Sequence, residues 1–345
     1  MPEDLRYGII GCAGVGNAHA AAVTEAEGAS LVACADVSEE AAKDFAADHD
    51  VELTFADVPT MIEEASIDAV SVCTPSGTHA DVTIEAMEAG AHAIVEKPLD
   101  VYADRINRMI SAADDANVTL AGVFQRRFHP QLRRARQLVA DGEIGEPILG
   151  DTRVKWYRSQ GYYDSGGWRG TRDMDGGCMM NQGVHDIDAL QWIVGDVKSV
   201  AAMTGTLARD LDCEDTATVA LEFENGALGS IEVTTAVVGG RDGLEVNGTE
   251  GSLSITDRQI TDFEVSTGEG SHYGAETTEP SVEDLPHPAG GGHEGVIQDF
   301  VDALREGRDP EVPAREARKA VDVILAAYQS AETGAVVDVA EMRTK

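Results

Sequence analysis

Tyr7-Gly8-Ile9-Ile10-Gly11-Cys12-Ala13-Gly14-Val15-Gly16 runs from an apolar strand into a glycine-rich turn, and a helical stretch over 18–27 follows. In a dinucleotide-binding strand–turn–helix, the first, third and sixth places of the turn are glycines. They allow the tight turn, the approach of a pyrophosphate and close helix packing. Here those places hold Gly11, Ala13 and Gly16, so the smallest side chain stands in the middle. The helix N-terminus behind them suits phosphate. Asp36, twenty residues past Gly16, closes the next strand-like run. An acid there accepts hydrogen bonds from both ribose hydroxyls and repels a 2′-phosphate. No Arg or Lys occurs in Val37-Ser38-Glu39, which favours NAD over NADP.

Outward from this turn the first third of the chain alternates between two periods. Strand-like runs lie over 7–10, 31–35, 69–73, 91–95 and 118–123, with helical stretches over 39–48, 60–65, 79–89 and 103–116. This alternation implies βαβ units and a doubly wound parallel sheet, a Rossmann-type α/β domain over residues 1–124. Ser38 before Glu39-Glu40 reads as a helix N-cap with acids in the first turn.

Past residue 124 the pattern changes. A helix over 131–141, a strand over 148–156 and a second helix over 178–194 precede longer β-segments. Alternating apolar residues over 216–223 and 227–233 flank Asn225-Gly226, a hairpin signal. Residues 265–292 are polar and Gly-rich and read as an exposed loop, and helices over 294–306 and 315–331 close the chain. Residues 125–345 are therefore expected to form an α+β domain with a large open, largely antiparallel sheet.

The length of 345 residues suits about two domains. The formal charge of −36 is spread along both halves, and six lysines stand against twenty arginines. We read this as adaptation to high salt, where the Debye length shrinks to roughly 3 Å and screens the self-repulsion. Such a surface lacks the basic patch that a nucleic-acid partner requires. Five scattered cysteines without C-x-x-C spacing indicate neither a disulfide framework nor a zinc site, and no metal is expected. Reduced thiols, the absence of a leader pattern and the lack of an apolar run of spanning length point to a soluble cytoplasmic protein without a membrane partner.

Three further motifs carry chemistry. Thr74-Pro75-Ser76, with His79 just beyond, follows the apolar strand over 70–73, at an edge where Thr74 and Ser76 reach a cofactor. Glu96-Lys97-Pro98 ends the run His92-Ala93-Ile94-Val95, and the carboxyl end of a buried parallel strand is where open α/β sheets bind ligands. In Asp175-Gly176-Gly177-Cys178-Met179-Met180-Asn181-Gln182-Gly183-Val184-His185-Asp186-Ile187-Asp188, helical spacing sets Asn181, His185 and Asp188 on one polar stripe. Gly176-Gly177 permits close backbone approach by a ligand. A histidine on so apolar a helix is equally readable as a satisfied core residue.

The ordered set of the Gly11 turn, Thr74-Pro75, Glu96-Lys97-Pro98, Trp168-Arg169, Gly176-Gly177 and His185-x-x-Asp188 resembles the Gfo/Idh/MocA family over nearly the whole chain. The stretch from His293 through Asp299-Phe300 to Arg308 is similar to that family's closing helix. The resemblance implies oxidation of a secondary alcohol of a sugar, polyol or sugar derivative, or the reverse, in a homodimer or homotetramer. Lys97 and His185 would be the catalytic pair. Glu96, Thr74, Pro75, Ser76, His79 and Arg169 would contact NAD, together with Gly11, Ala13, Gly16 and Asp36. Asn181, Asp188, Tyr157, Arg158 and Trp168 would line the substrate site. Two departures stand out. Asn181 replaces the aspartate usual in inositol dehydrogenases and cannot ionise. Cys178 replaces a third glycine. An NAD-dependent glycosidase acting by oxidation and elimination, a non-catalytic sensor, and an oxidoreductase that recycles its cofactor are the alternatives.

Overall fold

The computed structural model describes residues 4–266, 275–277 and 291–344, and the chain divides into two compact units. The first comprises Met1–Phe128 with Pro288–Arg318. Its strands β1 (Leu5–Ile10), β2 (Ala29–Ala35), β3 (Leu53–Phe55), β4 (Ala69–Val72), β5 (His92–Val95) and β6 (Leu120–Gly122) pair in parallel in the order β3-β2-β1-β4-β5-β6. Helices α1 (Gly16–Glu25), α2 (Glu39–Asp48), α3 (Val58–Ala65), α4 (His79–Glu88) and α5 (Ala103–Ala116) connect them. Strand order reverses between β1 and β4, and such a switch point is where doubly wound sheets bind ligands. All four residues of β4 are buried, because helices cover both faces of the sheet.

Local chemistry sets where the helices start. The Ser38 hydroxyl accepts from the Ala41 N–H (3.3 Å) ahead of Glu39 and Glu40. The Asp57 carboxylate caps α3 through the Thr60 N–H (3.0 Å), so that helix begins two residues earlier than the apolar periodicity predicts. The sequence reading misses β3, which is only three residues long at a sheet edge and has no inward-facing alternation to betray it.

The second unit comprises His129–His287 and Lys319–Lys345. It is built on β7 (Pro147–Lys155), β8 (Val197–Gly205), β9 (Thr216–Phe223), β10 (Leu228–Thr234), β11 (Gly243–Gly248), β12 (Gly251–Thr256), β13 (Gln259–Ser266), β14 (Ala275–Thr277) and β15 (Val337–Asp338). They form one sheet in the order β14-β13-β12-β11-β7-β10-β9-β8-β15, antiparallel except for the parallel pair β7–β10. Helices α6 (Pro130–Ala140), α7 (Gln160–Asp164) and α8 (Val184–Val194) belong to this unit. The period of two is clear in β9, where Ala217, Val219, Leu221 and Phe223 are buried while Thr218 and Ala220 are exposed. Helix α8 lies on β7 so closely that a Cβ on Gly150 would approach Val194 Cγ2 to 2.9 Å. The β9–β10 hairpin forms at Asn225-Gly226. Only Gly226 takes a positive φ (+89°), and its N–H donates to Phe223 O (3.0 Å), giving a three-residue loop closed by a glycine bulge.

One expectation changes. Pro288–Arg318 was expected in the C-terminal domain, but α9 (Gly292–Glu306) packs on α1 and returns this segment to the first unit. Its Gln298 side chain bonds both the N–H and the carbonyl of Glu27 (2.8 and 3.2 Å), and Phe300 is fully buried. The closing helix α10 (Ala314–Thr333) contributes residues to both units. Most of the loop expected over 265–292 lies outside the described residues. Among the described residues no helix is long and apolar enough to cross a membrane.

Candidate functional site

At the switch point of the first unit, Gly11 has φ +95° and its N–H donates to Ala35 O (2.9 Å). A Cβ there would sit 2.7 Å from the Cys73 carbonyl carbon and 2.9 Å from Thr74 N, so only glycine lets the end of β1 pass the end of β4. A Cβ on Gly16 would overlap the Gly11 carbonyl oxygen. Ala13 is exposed, and Gly14, outside the three fingerprint places, supplies a second left-handed turn at φ +54°. Helix α1 has no acid in its first turn, which leaves its N-terminus open to an anion. Asp36 accepts the Cys12 N–H at Oδ2 (2.9 Å) and the Ser38 N–H at Oδ1 (2.8 Å). Each oxygen keeps a further lone pair for a ribose hydroxyl. Asp36 thus also holds the glycine turn against β2. The cradle without side chains, the open helix end and the half-buried acid together fit a dinucleotide.

The neighbouring strand ends are braced together. His79 is buried, and its two ring nitrogens lie 2.8 Å from the carbonyl oxygens of Thr74 and Pro98. This corrects the expectation for His79. It ties the Thr74-Pro75-Ser76 turn to the Lys97-Pro98 turn and has no ring nitrogen left for a cofactor. Thr74 Oγ1 accepts from the Thr78 hydroxyl (2.9 Å), and Ser76 is buried at the start of the next turn.

Glu96 is buried, yet its carboxyl group is held well below the usual range. Burial opposes ionisation, but hydrogen bonds from His19 and His293 and the charge of Lys97 outweigh it. Nε2 of each histidine lies 3.1 Å from Oε1, and Oε2 accepts the Lys97 backbone N–H (3.1 Å). His19 Nδ1 meets Ser71 Oγ at 2.8 Å, which in turn meets the Tyr7 hydroxyl at 2.9 Å. A single directional chain satisfies these groups: Tyr7 donates to Ser71, Ser71 to His19, and His19 to Glu96. Among the described residues this is the one grouping whose ligand atoms lie close enough (within 4.8 Å) to hold a metal ion, although no metal-ligand spacing appears in the sequence. Two N–H groups already neutralise the shared oxygen, so the network is complete as hydrogen bonds. His19, Ser71 and His293 have no local signal of their role.

His185 lies in the second unit. A tight turn at Gly176 (φ +80°) and Gly177 (φ +100°) leads into a π-helical turn, Met179–Gly183, and then α8. The sequence reading predicts an unbroken α-helix there. The wider π turn changes the angular step, so Asn181 and His185 are not stacked as an ordinary i, i+4 pair. His185 is 8% exposed and Asp188 is 1% exposed. Glu214, missed by the sequence reading, organises the turn. Its Oε1 accepts the Met179 N–H (2.9 Å), and a Cβ on Gly177 would overlap its carboxyl group. The Tyr328 hydroxyl reaches both Gly176 O and Glu214 Oε1. Burial pushes the Glu214 carboxyl up to about 7, against the opposing bonds from Met179 N–H and Tyr328.

Around this turn stand the expected aromatic and polar residues. Asn181 Nδ2 donates to Asp175 Oδ1, while Asp175 Oδ2 accepts the Gly170 N–H (2.7 Å). Gln182 Nε2 donates to Asn181 Oδ1 (3.0 Å), and Arg158 Nη2 donates to Gln182 Oε1 (3.3 Å). Arg169 Nη1 donates to the Tyr162 hydroxyl (2.7 Å) and stacks on Trp168 (4.7 Å). Tyr157 is exposed. Arg158, Arg169, Trp168 and Asn181 are half-buried in one connected patch.

Residues 5–124 match the model of an oxidoreductase family described as an NAD-binding Rossmann fold, and residues 132–254 match the GFO/IDH/MocA C-terminal domain. The chain is 30% identical to an uncharacterized oxidoreductase, YrbE, of Bacillus subtilis over 78% of this chain and 79% of that one. It is 29% identical to a myo-inositol 2-dehydrogenase of Thermotoga maritima over 72% of this chain and 74% of that protein. The WlbA dehydrogenase from Bordetella pertussis, solved in complex with NADH and UDP-GlcNAcA, superposes with a TM-score of 0.86 at 30% identity, covering 97% of this chain and 99% of that one.

Proposed function

We propose, for a chain that belongs to the Gfo/Idh/MocA family of NAD-binding oxidoreductases, that Lys97 and His185 carry the oxidation of a secondary alcohol on a sugar, polyol or sugar derivative. The observation that carries this reading is the setting of Lys97. It follows β5, the strand beside β4 at the switch point, on a backbone N–H held by the satisfied carboxylate of Glu96.

When bound, the nicotinamide supplies the hydride acceptor. His185, with an imidazole suited to gaining and losing a proton near neutrality, takes the hydroxyl proton as the carbinol hydrogen leaves. The Lys97 ammonium stabilises negative charge developing on the alcohol oxygen. Asn181 cannot ionise and serves only to orient. Glu96 acts as an anchor rather than a base, because both its oxygens already accept N–H bonds. Asp36, with no basic residue in Val37-Ser38-Glu39, favours NAD over NADP. The charge of −36 supports a cytoplasm of high salt as the setting.

The test is a panel of sugars, polyols and sugar derivatives in molar KCl, followed by NADH absorbance with NAD and NADP separately. His185→Ala is expected to lower turnover by about 10² or more while leaving NAD affinity unchanged. Undiminished turnover in that variant removes His185 from the chemistry.

A further inference from the structure

Arg158 and Arg209 differ from the ion-paired arginines of the second unit. In a chain with 62 acidic and 26 basic residues, an arginine meets carboxylates easily. Arg153 pairs with Asp151, Arg172 with Glu332 and Arg343 with Asp322. Arg158, Arg169 and Arg209 have no carboxylate partner among the described residues. They are held by aromatic rings instead. Arg158 Cζ lies 5.2 Å from the Trp156 ring centre and 5.1 Å from that of Tyr162. Arg169 Cζ lies 4.6 Å from the same Tyr162 ring, and Arg209 Cζ lies 5.1 Å from that of Tyr157. A cation–π contact consumes no N–H group, so the donors not otherwise bonded stay available for an oxyanion.

Each guanidinium keeps one donor unfilled, although Arg158 Nη2 bonds Gln182 and Arg209 Nη1 bonds the Ala208 carbonyl (3.1 Å). Arg158 Nε and Arg209 Nη2 are buried and have no hydrogen-bond acceptor. A buried donor without an acceptor costs stability, more so when it belongs to a charged group. The positions are fixed from behind. Arg209 Nε donates to Arg158 O (2.6 Å), and the Asp215 carboxylate accepts the backbone N–H groups of Leu207, Ala208 and Arg209 at 2.8–2.9 Å. The patch is also tied to the catalytic helix, since Arg158 bonds Gln182, three residues before His185. Three helical residues advance roughly 4–5 Å, a span within one sugar-sized molecule.

We infer that Arg158 and Arg209 bind an oxyanion on the substrate, so that the alcohol oxidised belongs to a negatively charged sugar. This rests on the dehydrogenase reading above and narrows its substrate class. The charge is carried by a carboxylate, a phosphate monoester or a diphosphate linkage, each offering paired oxygens to the two guanidinium groups.

Binding to the NAD-loaded protein is measured by calorimetry at one fixed ionic strength with D-glucuronate, glucose 1-phosphate, UDP-glucuronate and D-glucose. At least one anionic sugar is expected to bind about 10²-fold more tightly than D-glucose, and the strongest of the three identifies the source of the charge. Arg158→Gln and Arg209→Lys, each checked for an unchanged melting temperature, are expected to weaken that binding by ~10-fold or more and to leave NAD affinity as it was. Equal binding of D-glucose, binding of none of the three anions, or anion affinity unaltered in both variants overturns the inference. NADH formation is read separately. An anionic sugar that binds through these arginines without oxidation at any hydroxyl sinks the dehydrogenase reading and leaves the anion site standing. Turnover of neutral sugars without preference does the reverse.

Discussion

Among the described residues each unit buries one glutamate, and the two behave in opposite ways. Glu96 receives N–H groups from His19 and His293 and stays ionised well below the usual carboxylate range. Glu214 is as deeply buried but meets a backbone N–H and a phenol, and its carboxyl is pushed up to about 7. Burial opposes charge in both, and the partners decide the outcome. The phenol sharpens the contrast. Tyr328 has one proton for two acceptors, so a protonated Glu214 completes the second bond. In the first unit a carboxylate anion anchors Lys97; in the second a carboxyl that takes up its proton near neutrality holds the turn before His185.

The largest effect is expected from removing the anion. Glu96→Ala leaves two histidine N–H groups facing each other without an acceptor. It should cost about 3–5 kcal/mol of stability in urea unfolding, the range for breaking a buried pair from one side. A loss near zero would mean that Glu96 contributes no net charge interaction and would end the contrast.

Next in size is a pH effect on Glu214. Its folded-state pKa, about 7, lies above the ordinary value of 4.5, so the native state holds the proton more tightly than the unfolded chain does. Its contribution is therefore fully present below pH 4.5 and is lost as pH rises through 7, by up to roughly 3 kcal/mol. Glu214→Gln, compared with the parent at pH 4.5 and 7.5, should remove this difference. Glu96 runs the other way, since its depressed pKa gives stability present above 4.5 and lost as pH falls through the folded-state value. A Glu214→Gln variant with the parent's pH dependence would show that the two glutamates are alike.

The smallest effect refines the first. Ser71→Ala removes the hydroxyl between Tyr7 and His19 and should cost about 1 kcal/mol, without altering the unit's dependence on Glu96. A larger loss, measured in a double-mutant cycle with Glu96→Ala, would make the chain from Tyr7 to Glu96 a single cooperative network.

Much was legible from residues 1 to 124, because β/α alternation and the Gly11 turn are written in local spacing. Gly11 itself was readable, since a glycine is needed wherever φ turns positive and two strand ends close on it. The hairpin at Asn225-Gly226 was readable for the same local reason. Even there the structure corrected details: β3 was too short to carry a period, His79 proved to be a brace, and the segment over 288–318 returned to the first unit.

The sequence by itself determined the two kinds of sheet and the glycine turn for the dinucleotide. These follow from backbone sterics and the period of apolar residues, which act over a few positions. Only the tertiary structure decided which polar groups meet. Glu96 finds His19 across 77 residues and His293 across 197, and Tyr328 finds Glu214 across 114. The side chain of Arg209 reaches the Arg158 carbonyl across 51. No local periodicity encodes such pairs. They are selected by the need to satisfy every buried donor and acceptor once packing has excluded water, and that need exists only in the folded chain.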